Sequence, residues 1–293
     1  MGVCDPNFRT AEWALYRYDP STAAAVIFIL LFIVTTGIHT VQMIRTRTWY
    51  MAAFCIGGLS EILGYIGRAV SSNEKAGCWT VGPFVVQTVF TLIAPALMSF
   101  SVYMILPRII HLTDGEIHAP MKPRWRIKVF IIGDVVSLAL QLVGGAMMSG
   151  GDLGSSVMKT GKYLVIGSFS MQPTVIGTFF GVVSLFHRRM KRTPTEKSLE
   201  PQIRWRRYVL SLYIASGAIS ARCLFRSIAY YGDNDSYLMR SEWFLYIFDA
   251  TIIWAVMVWM IWFHPSEIDS LLRHERPVAN GLELLSFNNR FRK

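Results

Sequence analysis

The 293-residue sequence is poor in charge: Asp, Glu, Lys and Arg make up 16% of it, while hydrophobic residues reach 53%. An ordinary soluble domain carries about a quarter charged residues, so this chain needs lipid to cover its apolar surface. Cysteine is scarce too. Cys4, Cys55, Cys78 and Cys223 are scattered along the chain, which excludes a disulfide scaffold and a CxxC metal site. The six histidines are dispersed, and of them only His39 falls in a long apolar run. That argues against a membrane zinc hydrolase with clustered ligands, and no metal is expected. There is no GxxxxGK[ST] phosphate loop and no Gly-rich dinucleotide motif after a strand. Direct ATP-driven transport by this chain alone is therefore not expected, nor is a cofactor. The first twenty residues include Asp5, Arg9, Glu12, Arg17 and Asp19 and lack the apolar centre of a cleavable signal peptide. The first membrane helix is expected to act as the targeting signal.

What the sequence does have is seven long apolar runs. A hydrocarbon core roughly 30 Å thick takes about 20 helical residues at 1.5 Å each. Runs of that kind lie near Thr22–Ile44, Trp49–Val70, Val81–Leu106, Ile127–Met148, Tyr163–Phe186, Tyr208–Tyr230 and Trp243–Phe263. The expected fold is an all-α bundle of seven transmembrane helices over residues 21–264. A short segment 1–20 precedes it, a tail 265–293 follows, and there is no independent soluble module.

Orientation follows from Lys and Arg, which are retained on the cytoplasmic side near helix ends. Of the 29, twenty fall in the first, third and fifth loops and the tail, six fall on the opposite side, and Arg68, Arg222 and Arg226 lie inside helices. With an odd number of spans this places the N-terminus outside and the C-terminus in the cytoplasm. The net charge of +10 then reports topology and attraction to anionic inner-leaflet lipids, with no nucleic acid as partner. Trp49, Trp205, Trp243 and Trp262 fall near predicted helix ends, as interfacial aromatics do. After the last span, Pro265, Ser266 and Asp269 read as the capped start of a short interfacial helix.

Ionisable groups in hydrocarbon cost roughly 2.5–3.5 kcal/mol each on insertion scales, yet this chain has several. Glu61 and Arg68 lie on helix two, Asp134 and Gln141 on helix four, Arg222 and Arg226 on helix six, and Glu242 and Asp249 on helix seven. Each pair is four or seven residues apart, so each helix has one polar stripe facing the bundle interior. The acids Glu61, Asp134 and Asp249 match the arginines Arg68, Arg222 and Arg226 in number, and mutual pairing is the expectation. Gln87 and Gln172 on helices three and five, with His39 and Gln42 on helix one, bring in the remaining spans. Counting residues from each end puts Arg68, Gln87, Arg222, Arg226, Glu242 and Asp249 in the outer half and Glu61 and Gln172 near the middle. His39 and Asp134 fall closer to the cytoplasm. The expectation is a polar cavity open to the outside and tapering to Glu61. Two readings stand: ion pairs that fix helix packing, or a charged path for a polar or zwitterionic ligand.

Pro95 and Pro173 lie mid-helix as hinges or static kinks. Gly177 with Gly181, and Gly144 with Gly145, read as points of close helix packing. Cys4 and Cys78 both fall on the oxidising side, where a bridge and two free thiols are both open. Cys55 and Cys223 read as small core residues. Asn234-Asp235-Ser236 is a glycosylation sequon close to the membrane.

Specific strings resemble the fungal RTA-like family, also called the lipid-translocating exporter family. They are Tyr18-Asp19-Pro20-Ser21, His39, and the segment from Glu61 through Gly64 and Tyr65 to Arg68. Ala94-Pro95 with Tyr103 follow, then Asp134 with Ser137, Gln141, Gly144 and Gly145, and Gly167 with Gln172. Arg222 with Arg226, Glu242, Tyr246 with Asp249, and His264-Pro265 complete a match over residues 16 to 266. The chain departs from some relatives in having Ser227, Ile228 and Ala229 after Arg226, where they carry an acidic residue. The resemblance implies seven helices in a fungal membrane, often the plasma membrane, and links to resistance against toxic amphipaths, sphingoid bases and sterol analogues, with one branch linked to porphyrin uptake.

The expected function is translocation of amphipathic lipids, the head following Glu61, Arg68, Gln87, Asp134, Gln141, Gln172, Arg222, Arg226, Glu242 and Asp249 while the tail stays in lipid. The partners are then membrane lipids or amphipathic small molecules. A seven-helix receptor or stress sensor is the rival reading. An intramembrane cyclase or isomerase using Glu61 and Asp249 as acids is the third.

Overall fold

The computed structural model describes residues 4, 7–9, 15–123, 125, 127–150, 156–201, 203–231 and 240–273. Asn234 and the tail beyond residue 273 lie outside them. α1 spans Thr22–Thr46 and starts at Ser21, whose hydroxyl accepts the Ala24 N–H, a side-chain cap on one of the free amides of the first turn. A 3₁₀ turn, Trp49–Met51, leads into α2, Ala52–Ser72. α3 spans Val81–Leu112, α4 Lys128–Gly150, α5 Ser156–Arg192 and α6 Trp205–Tyr231. α7 is composite, running as Glu242–Leu245, a π-helical turn Tyr246–Ala250, and Thr251–Trp262. The short α8 covers Ser266–Leu272.

Among the described residues, seven helical stretches are long and apolar enough to cross a membrane, and the protein is an integral membrane bundle. The predicted spans match them in order. α3 and α5 run further than predicted, to Leu112 and from Ser156 to Arg192, because hydropathy marks the apolar part of a helix while its hydrogen bonding continues through polar ends. Both helices run on through Pro95 and Pro173.

The starts of α1, α3 and α7 meet the end of α2 at one end of the bundle. There the Ser21 N–H donates to the Glu242 carboxylate (2.9 Å), Thr22 and Ser72 hydroxyls bond (2.9 Å), and Cys4 is joined to Cys78. This is called the disulfide end. At the opposite, basic end, α8 is tied beneath α3 by Arg108 to Asp269 (3.2 Å) and to α1 by Arg273, which donates to the Thr46 carbonyl (3.2 Å). The predicted cap of α8 takes a different form. Ser266 Oγ has no partner, and the Ser266 N–H instead donates to His264 Nδ1 at 3.2 Å. Trp49, Trp205, Trp243 and Trp262 all lie at helix ends as predicted; three of them are exposed, while Trp205 is buried, its indole N–H donating to the Ser198 carbonyl.

The apolar core fills the basic half with Phe54, Leu106, Ile109, Phe179, Val183, Phe186, Leu212 and Met257, while Leu30, Val34, Ile56, Leu63, Val135 and Val143 face outward. Helices approach closely where side chains are absent. A Cβ on Gly57 would lie 2.9 Å from the Ala94 carbonyl, and one on Gly144 or on Gly161 would lie 2.7 Å from the other's carbonyl oxygen. Gly145, Gly177 and Gly181 have nothing within that range. The predicted packing role holds for Gly144, which meets Gly161, and is corrected for Gly145, Gly177 and Gly181, which face open space, because a GxxxG spacing does not say which face of a helix is buried.

Candidate functional site

The charged stripes of α2, α6 and α7 converge. Asp249 sits inside the π-helical turn of α7, where the wider coil redirects side chains, and such turns recur at functional sites. The turn is held by Thr251, whose hydroxyl donates to the Tyr246 carbonyl at 2.8 Å. Arg226 grips Asp249 with two bonds, Nε to Oδ1 at 3.1 Å and Nη2 to Oδ2 at 2.6 Å. Arg222 Nε lies 2.6 Å from Asp249 Oδ1, and its Nη2 donates to the Thr91 carbonyl at 2.7 Å and lies 3.9 Å from Glu61 Oε1. The two arginines are thus neutralised by one close and one more distant carboxylate. In low dielectric the geometry must be good to offset desolvation, and the bidentate fork of Arg226 supplies it.

A second group lies toward the disulfide end. Arg68, fully buried, donates to Glu242 Oε1 (2.7 Å), to the Tyr18 hydroxyl (2.9 Å) and to the Tyr246 hydroxyl (3.0 Å). Its guanidinium carbon lies 5.8, 5.4 and 5.2 Å from the ring centroids of Tyr16, Tyr18 and Tyr246, within cation–π range. The segment before α1 forms a strap across this end. Tyr16 packs edge-on against Trp79 and Phe84 and donates to Gln87 Oε1 at 2.7 Å. Burial pushes the Tyr16 hydroxyl up to about 12, so it remains a donor at neutral pH. Tyr65, stacked on Phe28 and Phe32, stands between the two groups on α2.

The third group is on α3 and α4. Asp134 Oδ2 accepts the Tyr103 hydroxyl at 3.0 Å and Oδ1 has no partner. Ser137, next along the stripe, donates to the Ser168 carbonyl of α5 at 2.8 Å, and both amide atoms of buried Gln141 are unpartnered. Gln172 is buried on α5 with no hydrogen bond to the charged groups. At the basic end, His39 Nε2 bonds the Met257 carbonyl (2.9 Å) and Gln42 donates to the Ile261 carbonyl (3.2 Å). No group of three metal-ligating side chains is found among the described residues.

Two expectations are corrected. The pairing is not three acids with three arginines, since Arg68 takes Glu242 and Asp134 takes a tyrosine. The mouth is not an open cavity, because the strap and mutual ion pairing leave Glu61, Arg68, Arg222 and Asp249 each at 2% exposure or less. The tyrosine partners were also not foreseen: the Tyr18 and Tyr246 hydroxyls accept from Arg68, and the Tyr103 hydroxyl donates to Asp134. Arg226 finds its acid on α7, which accounts for the absence of a local one after it. On the outer face, Leu31, Val34, Ile38, Trp254, Val258 and Trp262 line an apolar groove of about 350 Å³ between α1 and α7.

The family described as RTA1-like protein matches residues 54–270. The chain is 28% identical to protoporphyrin uptake protein 1 of Saccharomyces cerevisiae, over 88% of this chain and 92% of that one. It is 27% identical to the probable lipid transporter atnI of Emericella nidulans, over 87% and 68%. It is 24% identical to the sphingoid long-chain base transporter RSB1 of Saccharomyces cerevisiae, over 84% and 72%. No solved structure matches significantly.

Proposed function

The chain belongs to the RTA1-like family, and from that premise we propose that it translocates amphipathic lipids across the plasma membrane, with the N-terminus outside. The observation that carries the reading is the run of buried and half-buried polar groups from the strap (Tyr16, Tyr18) through Arg68–Glu242 to Arg222–Arg226–Asp249 and Glu61. Charges in hydrocarbon are expensive, and a packing role needs fewer of them. Relatives named for transport of lipid, sphingoid base and porphyrin support the class of cargo. A transport role accounts for these residues without catalysis.

In this mechanism the head group exchanges with the internal ion pairs while the tail remains in lipid, the α1–α7 groove offering it an apolar wall. The strap closes the outer end and moves aside for the head group to reach Arg68 and Glu242. The basic loops rest on anionic inner-leaflet lipid. The test is reconstitution into liposomes with a labelled sphingoid base. Movement between leaflets that is lost in Asp249→Asn, in protein that remains folded, supports translocation. Saturable binding without movement supports a receptor, and chemical conversion of the base supports an enzyme.

A further inference from the structure

The buried charges do not balance. Arg222 and Arg226 face Asp249 and Glu61, and Arg68 faces Glu242. Asp134 is left over. It is 3% exposed, has no Lys or Arg within ion-pair distance among the described residues, and has one hydrogen bond, from Tyr103, with Oδ1 unpartnered. The titratable groups facing it are Tyr103 of α3 and Cys223 of α6, and Cys223 in turn faces Arg222 and Asp249. On the neighbouring α5 the Ser168 carbonyl is taken by Ser137, and Gln172, also buried there, is uncharged. Two turns further along α4, toward the disulfide end, Gln141 is 3% exposed with neither amide atom bonded. This is a second polar group that a passing head group or water can engage.

A carboxylate with one neutral hydrogen bond and no counter-ion is costly inside a bundle. Either a proton or an incoming cation removes that cost. We propose that Asp134 is a proton-exchange site: it holds a proton when the path is empty and yields it when a cationic head group arrives to serve as its counter-ion. The O–H bond breaks, the proton passes to water, and the carboxylate pairs with the ammonium group. When the ammonium leaves, a proton from the opposite side restores the acid. One positive charge moves each way, and no other reactant is needed. Translocation is thereby driven by a proton gradient. The cargo half of this exchange rests on the translocator reading; the proton half does not.

The test is infrared spectroscopy of the full chain in lipid nanodiscs at neutral pH, in H₂O and D₂O. The carbonyl band of a protonated carboxylic acid is expected in the wild type and in Glu61→Gln, and is expected to be lost in Asp134→Asn. Should Asp134→Asn fail to fold, Tyr103→Phe serves instead, and the same band is expected to shift as its hydrogen bond is lost. A band that persists in Asp134→Asn, is lost only in Glu61→Gln, or is absent from the wild type overturns the proposal. In liposomes, acid on the side opposite a labelled sphingoid base is expected to speed its movement several-fold in the wild type and not in Asp134→Asn. Movement indifferent to the gradient overturns the coupling. A wild-type band lost in Asp134→Asn, together with no movement of the base, overturns the translocator reading and leaves the proton site standing.

Discussion

Asp249 and Asp134 are both aspartates buried within membrane helices, yet their surroundings are opposite. In the seam of α2, α6 and α7, Asp249 receives two arginines at 2.6 Å each. In the seam of α3, α4 and α5, Asp134 receives one tyrosine hydroxyl, and close approach is provided by Gly144 against Gly161 rather than by charge. The first seam is cross-linked by ions whose partners cannot be removed singly without stranding a charge. The second is held by backbone proximity and neutral hydrogen bonds, which makes its carboxyl free to change state. One region is fixed and the other adjustable, although both read as polar stripes in the sequence.

The largest effect that tests this contrast comes from isosteric removal of charge. Asp249→Asn strands Arg222 and Arg226 and is expected to cost about 3–5 kcal/mol, seen as a lower unfolding midpoint or loss of monodisperse protein. Asp134→Asn is expected to cost about 1 kcal/mol or less, because only a hydrogen bond is altered. Equal losses in the two variants would erase the distinction between the seams. Next in size is Gly161→Ala, which forces a methyl against the Gly144 carbonyl and is expected to cost about 1–3 kcal/mol. The matched Gly177→Ala meets nothing and is expected to stabilise α5 by roughly 0.5–1 kcal/mol. Thermal unfolding in one detergent compares the pair. Of similar small size is Tyr103→Phe, which removes the hydrogen bond to Asp134 and is expected to lower stability by about 1 kcal/mol. A loss matching Asp249→Asn would mean that Asp134 is held as tightly as its counterpart.

Much of the polar site was legible in advance because an ionisable residue in a long apolar run stands out against its neighbours. Glu61, Arg68, Asp134, Arg222 and Asp249 are buried where stripe spacing put them, and Arg226 beside them is half-buried. Their partners were not legible. Three arginines and three interior acids suggested a closed set, but Glu242, at the start of α7, reaches Arg68 and displaces Asp134 from the count. Hydropathy sees neither the tyrosines that supply neutral donors nor the strap that covers Arg68. It also cannot tell which glycines meet: Gly144 and Gly161 sit on helices whose register is set by the whole bundle, while the GxxxG spacing of Gly177 and Gly181 belongs to an outward face.

The sequence by itself determined the seven helices and which side chains must hide from lipid, because length, apolar content and helical period act locally along the chain. The tertiary structure alone decided who pairs with whom, since an ion pair depends on the rotation and depth of two helices set by every other contact. It therefore decided that Asp249 is locked between two arginines in a π-helical turn. It also decided that Tyr16 and Tyr18 of the strap and Tyr246 of α7 surround Arg68, and that Asp134 stands without a cation among the described residues.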